Sequence, residues 1–125
     1  MQTATQTTQD HEPFSFGETG SAKIERGGIY ARREENSDWR FLSALTDAIR
    51  AEARRDAATF VDEFPGEDLD PAQTDWDATA WQMHKIGGGL REELGAVEEI
   101  AGRDLGWEVY QATLLTEIRR LSKAA

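Results

Sequence analysis

The chain has no cysteine, only three prolines, and few basic residues: 14 against 24 acidic ones, a formal net charge of −10. Without cysteine, disulfides and thiolate metal sites are excluded. A charge this negative argues against phosphate binding as the main activity, so direct nucleic-acid binding is not expected. No apolar run approaches the roughly 18 residues of a membrane span, and Met1–Asp10 lacks the basic start and apolar stretch of a secretory signal; a cytoplasmic protein with no membrane contact is expected. What is present is 125 residues, 38% hydrophobic, with four tryptophans, enough for a single domain with its own core.

Residues 1–13 are rich in Thr, Gln and Asp and read as a flexible tail that cannot offset its own ordering entropy. The remainder, 14–125, reads as one helical domain with a hairpin near 21–33. Phe14 and Phe16 alternate around Ser15 as in an extended segment. Ala22–Arg26 and Ile29–Arg33 flank Gly27-Gly28, whose glycines suit a two-residue turn; that register pairs Arg26 with Ile29, Glu25 with Tyr30 and Ile24 with Ala31. Asn36, Ser37 and Asp38 are N-cap residues. The stripe Trp39, Leu42, Leu45, Ile49, Ala53, Ala57, Phe60, Phe64 then predicts a helix ended by Pro65-Gly66.

A second stripe runs Trp76, Ala80, Met83, Gly87, Leu90, Leu94, Val97, Ala101. Gly87-Gly88-Gly89 interrupts it, weakening a continuous helix by about 3 kcal/mol relative to alanine. Two outcomes are open: a break giving helices near 71–86 and 90–101, or one helix in which Gly87 admits a close backbone. Propensity favours the break. Gly102 ends this element and Asp104 caps a last helix with Trp107, Gln111, Leu114, Ile118 and Leu121 on one face. The expected fold is mainly α with a minor β part, a three- or four-helix bundle-like domain carrying a small N-terminal hairpin.

The charge is unevenly placed: residues 1–20, 21–55, 56–82 and 83–125 carry −3, +2, −8 and −1. The third block has eight acids and no base: Asp56, Asp62, Glu63, Glu67, Asp68, Asp70, Asp75 and Asp77. Solubility and a helix N-terminus account for Asp70, Asp75 and Asp77. They do not account for Asp62, Glu63, Glu67 and Asp68, which crowd a helix C-terminal end where negative charge is unfavourable. A surface complementary to a basic partner accounts for both sets. Trp81, about 140° around the helix from Trp76 and off its seam, would supply an aromatic anchor beside that surface.

Catalytic and metal motifs are not found. Glu67, Asp68 and Asp70 lack EF-hand spacing, and His84 has no His or carboxylate partner at helical metal-pair distance. Gly87-Gly88-Gly89 neither follows a strand nor precedes Gly-Lys-Ser/Thr, and Glu92 and Glu93 would repel phosphate at the helix start. His11 falls in the tail, where a general base is hard to position. Glu92/Glu93 and Glu98/Glu99 read as a solvated helix face. No metal and no cofactor are expected.

In size and charge the chain resembles the small acidic inhibitor proteins of phages and plasmids, including anti-CRISPR and other DNA-mimic proteins; the likeness is compositional and rests on no motif. The expectation is a non-enzymatic inhibitor that engages a basic, nucleic-acid-handling protein through Asp62, Glu63, Glu67, Asp68, Asp70, Asp75, Asp77 and Trp81. The alternative is an accessory subunit or homodimer joined through an apolar seam, either Leu90/Leu94/Val97 or Leu114/Ile118/Leu121.

Overall fold

The computed structural model describes residues 11–63 and 87–124. Among these the chain is mainly helical. Strands β1 (Ser21–Glu25), β2 (Gly28–Arg32) and β3 (Arg40–Phe41) form an antiparallel sheet in the order β1-β2-β3, followed by helices α1 (Ser43–Glu63), α2 (Gly88–Ala101) and α3 (Leu105–Ala124).

The hairpin forms, but its turn lies one residue earlier than the glycine pair suggests. Arg26 and Gly27 are the two turn residues, with φ of 53° and 76°, and Gly28 opens β2 opposite Glu25. Two consecutive positive φ angles give the turn the twist that antiparallel strands require. Ile24 therefore faces Ile29 and Ala22 faces Ala31, not the expected Ile24–Ala31 and Glu25–Tyr30 pairs. The physical reason is burial. This register puts Ala22, Ile24, Ile29 and Ala31 on one face against the core, and Ile29 and Ala31 are fully enclosed. Arg50 of α1 holds the turn by donating from Nη2 to Gly27 O at 2.8 Å.

The first helix also starts later than its stripe implies. Trp39 and Leu42 precede it, because Arg40–Phe41 pair with Ala31 and Tyr30 as an edge strand. Ser37 caps a turn instead of a helix, its Oγ accepting Glu34 N–H at 3.2 Å. Sheet and helix are then tied at one residue. Ile29 O accepts Leu42 N–H at 2.9 Å, and Ile29 N–H donates to the buried Thr46 hydroxyl at 3.1 Å. Leu45, Ile49, Ala53 and Ala57 continue the buried stripe, at spacings that keep them on one side of α1. Phe64 and Pro65-Gly66 lie outside the described residues.

Gly87 has an extended backbone (φ −72°, ψ 151°) and α2 begins after it, so the stripe is broken at the glycines; residues 71–86 lie outside the described residues. The close backbone approach falls at Gly89 instead of Gly87. A Cβ there would stand 1.8 Å from His11 O, so only glycine lets the N-terminal segment cross α2. His11–Pro13, expected in the flexible tail, are thus placed against the domain. Glu93, expected on a solvated face, is buried: its Oε2 accepts Phe14 N–H at 2.7 Å and lies 3.1 Å from His11 Nε2.

Gly102 ends α2 as anticipated, in the left-handed conformation, donating to Glu98 O at 2.9 Å. Across this corner Glu98 Oε2 accepts Gly106 N–H at 2.9 Å. Helix α3 lies chiefly along α1. Its fully enclosed residues, Leu105, Val109, Tyr110, Leu114 and Ile118, are rotated from the anticipated face; Trp107 and Leu121 line its edge.

Two expectations follow. Thr46→Val conserves volume but leaves the Ile29 N–H buried without an acceptor. It should lower unfolding free energy by about 1–3 kcal/mol in urea titration, whereas Thr46→Ser retains most of it. Burial, reinforced by Asp104, raises the Glu98 carboxyl to about 7, against the lowering effect of the Gly106 N–H. The folded chain therefore keeps a proton that the unfolded chain releases near pH 4.5. The contribution of Glu98 to stability is greatest below that pH and is lost as pH rises through about 7. Glu98→Gln should flatten this decline and raise the melting temperature at pH 8. The gain should be on the order of 1 kcal/mol at most, because Glu98 is half-exposed and solvent screens it.

Candidate functional site

The eight residues expected to bind a partner divide into two described and six not. Asp62 and Glu63 are exposed in the last turn of α1, which contains no basic residue, and no cation lies within ion-pair distance of either among the described residues. They sit at the negative pole of the helix, where a carboxylate is disfavoured by roughly 0.3–1 kcal/mol. Glu67, Asp68, Asp70, Asp75, Asp77 and Trp81 lie outside the described residues, as does His84.

A further member of the acidic block has an internal role. Asp56 is half-buried and accepts the Tyr110 hydroxyl at Oδ2, 2.6 Å away. Tyr110 is fully enclosed, and its phenol is raised far above its ordinary range, first by burial and then by Asp56. One turn earlier Glu52 is buried and bridged by Arg55. These two carboxylates belong to the α1–α3 contact and not to an outward surface. The apolar seams considered for a partner are also occupied from within. Leu90, Leu94, Val97, Leu114 and Ile118 are all buried in the chain's own core, and Leu121 packs at its edge.

At the other end of α1, about 30 Å from Glu63 at 1.5 Å per residue, the outer face of the sheet carries a cluster that the sequence reading missed. Lys23 Nζ lies 4.3 Å from the centre of the Trp39 ring and Arg32 Cζ 4.6 Å from it. Tyr30 and Phe41 pack at 5.2 Å between centroids, and Phe41 is 40% exposed. Lys23 also pairs with Glu25 at 2.9 Å. These residues alternate with the core-facing ones, as a pleated strand requires. The alternation of Lys23, Tyr30 and Arg32 was visible in the sequence; assigning Trp39 to a helix hid it. Cations against rings contribute about 0.5–1 kcal/mol each at exposed positions, and their stems shield a sheet face that no helix among the described residues covers.

The molecule therefore has opposite chemistry at the two ends of one helix. With a Debye length near 8 Å at physiological salt, charges about 30 Å apart act independently. Among the described residues no three of His, Asp and Glu converge as metal ligands, and no helix is long and apolar enough to cross a membrane.

Tyr110→Phe removes a charge-assisted hydrogen bond in the α1–α3 contact. It should cost about 1–2 kcal/mol in chemical denaturation, with far-UV circular dichroism unchanged.

Compared with protein-family models, with curated proteins and with solved structures, the chain finds no match.

Proposed function

We propose that this chain is a non-enzymatic binding protein that docks a basic partner through the acidic block following the middle of α1. The observation that carries this reading is the placement of Asp62 and Glu63. They are exposed in a terminal helical turn where their charge opposes the helix dipole, and no base among the described residues compensates them. Glu67, Asp68, Asp70, Asp75 and Asp77 follow directly in sequence, and the whole block from 56 to 82 contains no Lys or Arg.

In its sharpest form the partner is a nucleic-acid-handling protein, and the chain is an inhibitor. Its carboxylates occupy Arg and Lys positions that otherwise neutralise phosphates, since duplex DNA presents about one charge per 1.7 Å of axis. Electrostatic docking of this kind accelerates association and discriminates among partners, and Trp81, whose residue type is favoured at interface hot spots, is proposed as its aromatic contact. The alternative apolar docking reading is less well supported, because the residues named for it are enclosed within the chain.

Affinity capture with the full chain should retain a partner at low ionic strength and release it at about 0.5 M salt, where screening lengths fall to a few ångströms. A duplex DNA oligonucleotide should compete with the chain for the same partner. Asp62→Lys with Glu63→Lys should slow association at least several-fold with little change in stability. Retention indifferent to salt, to DNA and to the double reversal would overturn the proposal.

A further inference from the structure

A cavity of about 750 Å³ opens where four pieces of chain meet: the N-terminal segment 11–15, the end of β2, the passage from β3 into α1, and Glu93 of α2. Its volume is within the range of roughly 300–1,000 Å³ typical of small-molecule sites. Phe14 and Leu42 are among its apolar lining residues, and Phe41 borders it while its ring packs on Tyr30 at the outer sheet face. Arg33 and Arg40, both exposed, also border it, and neither has a carboxylate within ion-pair distance among the described residues.

The buried carboxylate in the wall is already engaged. Glu93 accepts the Phe14 N–H and lies 3.1 Å from His11 Nε2, so its Oε2 is hydrogen-bonded within the wall itself. Glu12, also in the lining, is exposed to solvent, which screens its charge. The two arginines are the cationic donors of the lining, beside the Ser15 and Ser43 hydroxyls and the His11 imidazole. Guanidinium forks match planar carboxylate and tetrahedral phosphate oxygens in two-point hydrogen bonding.

We infer that this cavity binds a small organic anion, its carboxylate or phosphate head on Arg33 and Arg40 and its apolar body against Phe14. The inference goes beyond the docking reading. It concerns the opposite end of α1 and a ligand of the opposite sign to a basic partner, so Asp62→Lys with Glu63→Lys should leave it untouched.

The test is nuclear magnetic resonance titration of the full ¹⁵N-labelled chain in phosphate-free, low-salt buffer with benzoate, phenyl phosphate and neutral benzyl alcohol. Benzoate or phenyl phosphate should give saturable shifts, in the millimolar range, at the Arg33 and Arg40 side-chain N–H groups and at the amides of residues 14 and 42–44. The stronger of the two identifies the preferred head group. Arg33→Gln and Arg40→Gln, both at exposed positions, should each weaken binding at least five-fold while the rest of the spectrum persists. The comparison with benzyl alcohol needs no variant. The inference is overturned if neither anion saturates, if benzyl alcohol binds as tightly, or if both variants bind as the parent does.

Discussion

The described architecture depends on how one strand residue is satisfied. Ile29 sits in the central strand with its side chain fully enclosed, its carbonyl bonded to Leu42 N–H and its own N–H bonded to the Thr46 hydroxyl. A buried peptide group left unpaired costs more than most single side chains contribute, so the strand and the first turn of α1 are fixed together. From that joint the direction of α1 follows. The chain segment between β2 and α1 then brings Trp39 across the outer sheet face and Arg40 and Phe41 to the cavity rim. Helix α3 then packs along α1, and α2 closes beneath the hairpin.

An acidic protein must decide where its carboxylates go, and this one uses them in two ways. Glu93, Asp56 and Glu98 are drawn inward, each accepting from a specific donor: the Phe14 amide, the Tyr110 hydroxyl and the Gly106 amide. Each links segments distant in sequence or turns a corner between helices. Asp62 and Glu63 remain outward without a compensating base in their helical turn. The contrast matters for function. Inward carboxylates are explained by the donors they meet, whereas the outward pair has no such donor among the described residues, which is why the proposed partner is placed there.

Opposite ends of α1 then present different recognition chemistry. The acidic end suits a basic macromolecule approached through long-range attraction, while the sheet end offers aromatic rings held with cations and a cavity bordered by two arginines. Separation by several Debye lengths makes the two ends electrostatically independent. The two proposed ligands, of opposite sign, are therefore expected to bind without either weakening the other.

Helical content, the breaking of the second stripe at Gly87, the Gly102 cap and the core positions Leu45, Ile49, Ala53 and Ala57 were legible from the sequence alone, because each follows from local propensity or from 3.6-residue periodicity. The acidic block was legible as composition, and of its named binding residues Asp62 and Glu63 are the ones with a described position. Other features depended on partners far along the chain. The hairpin register was set by which residues the core would enclose. Trp39 left its apparent helix because β2 had an open edge to pair. Glu93 became a buried acceptor because Gly89 let residues 11–14 cross α2. Periodicity measures which side of an element is apolar; which neighbour fills that side, and which polar group must then be satisfied, is decided only when the elements meet.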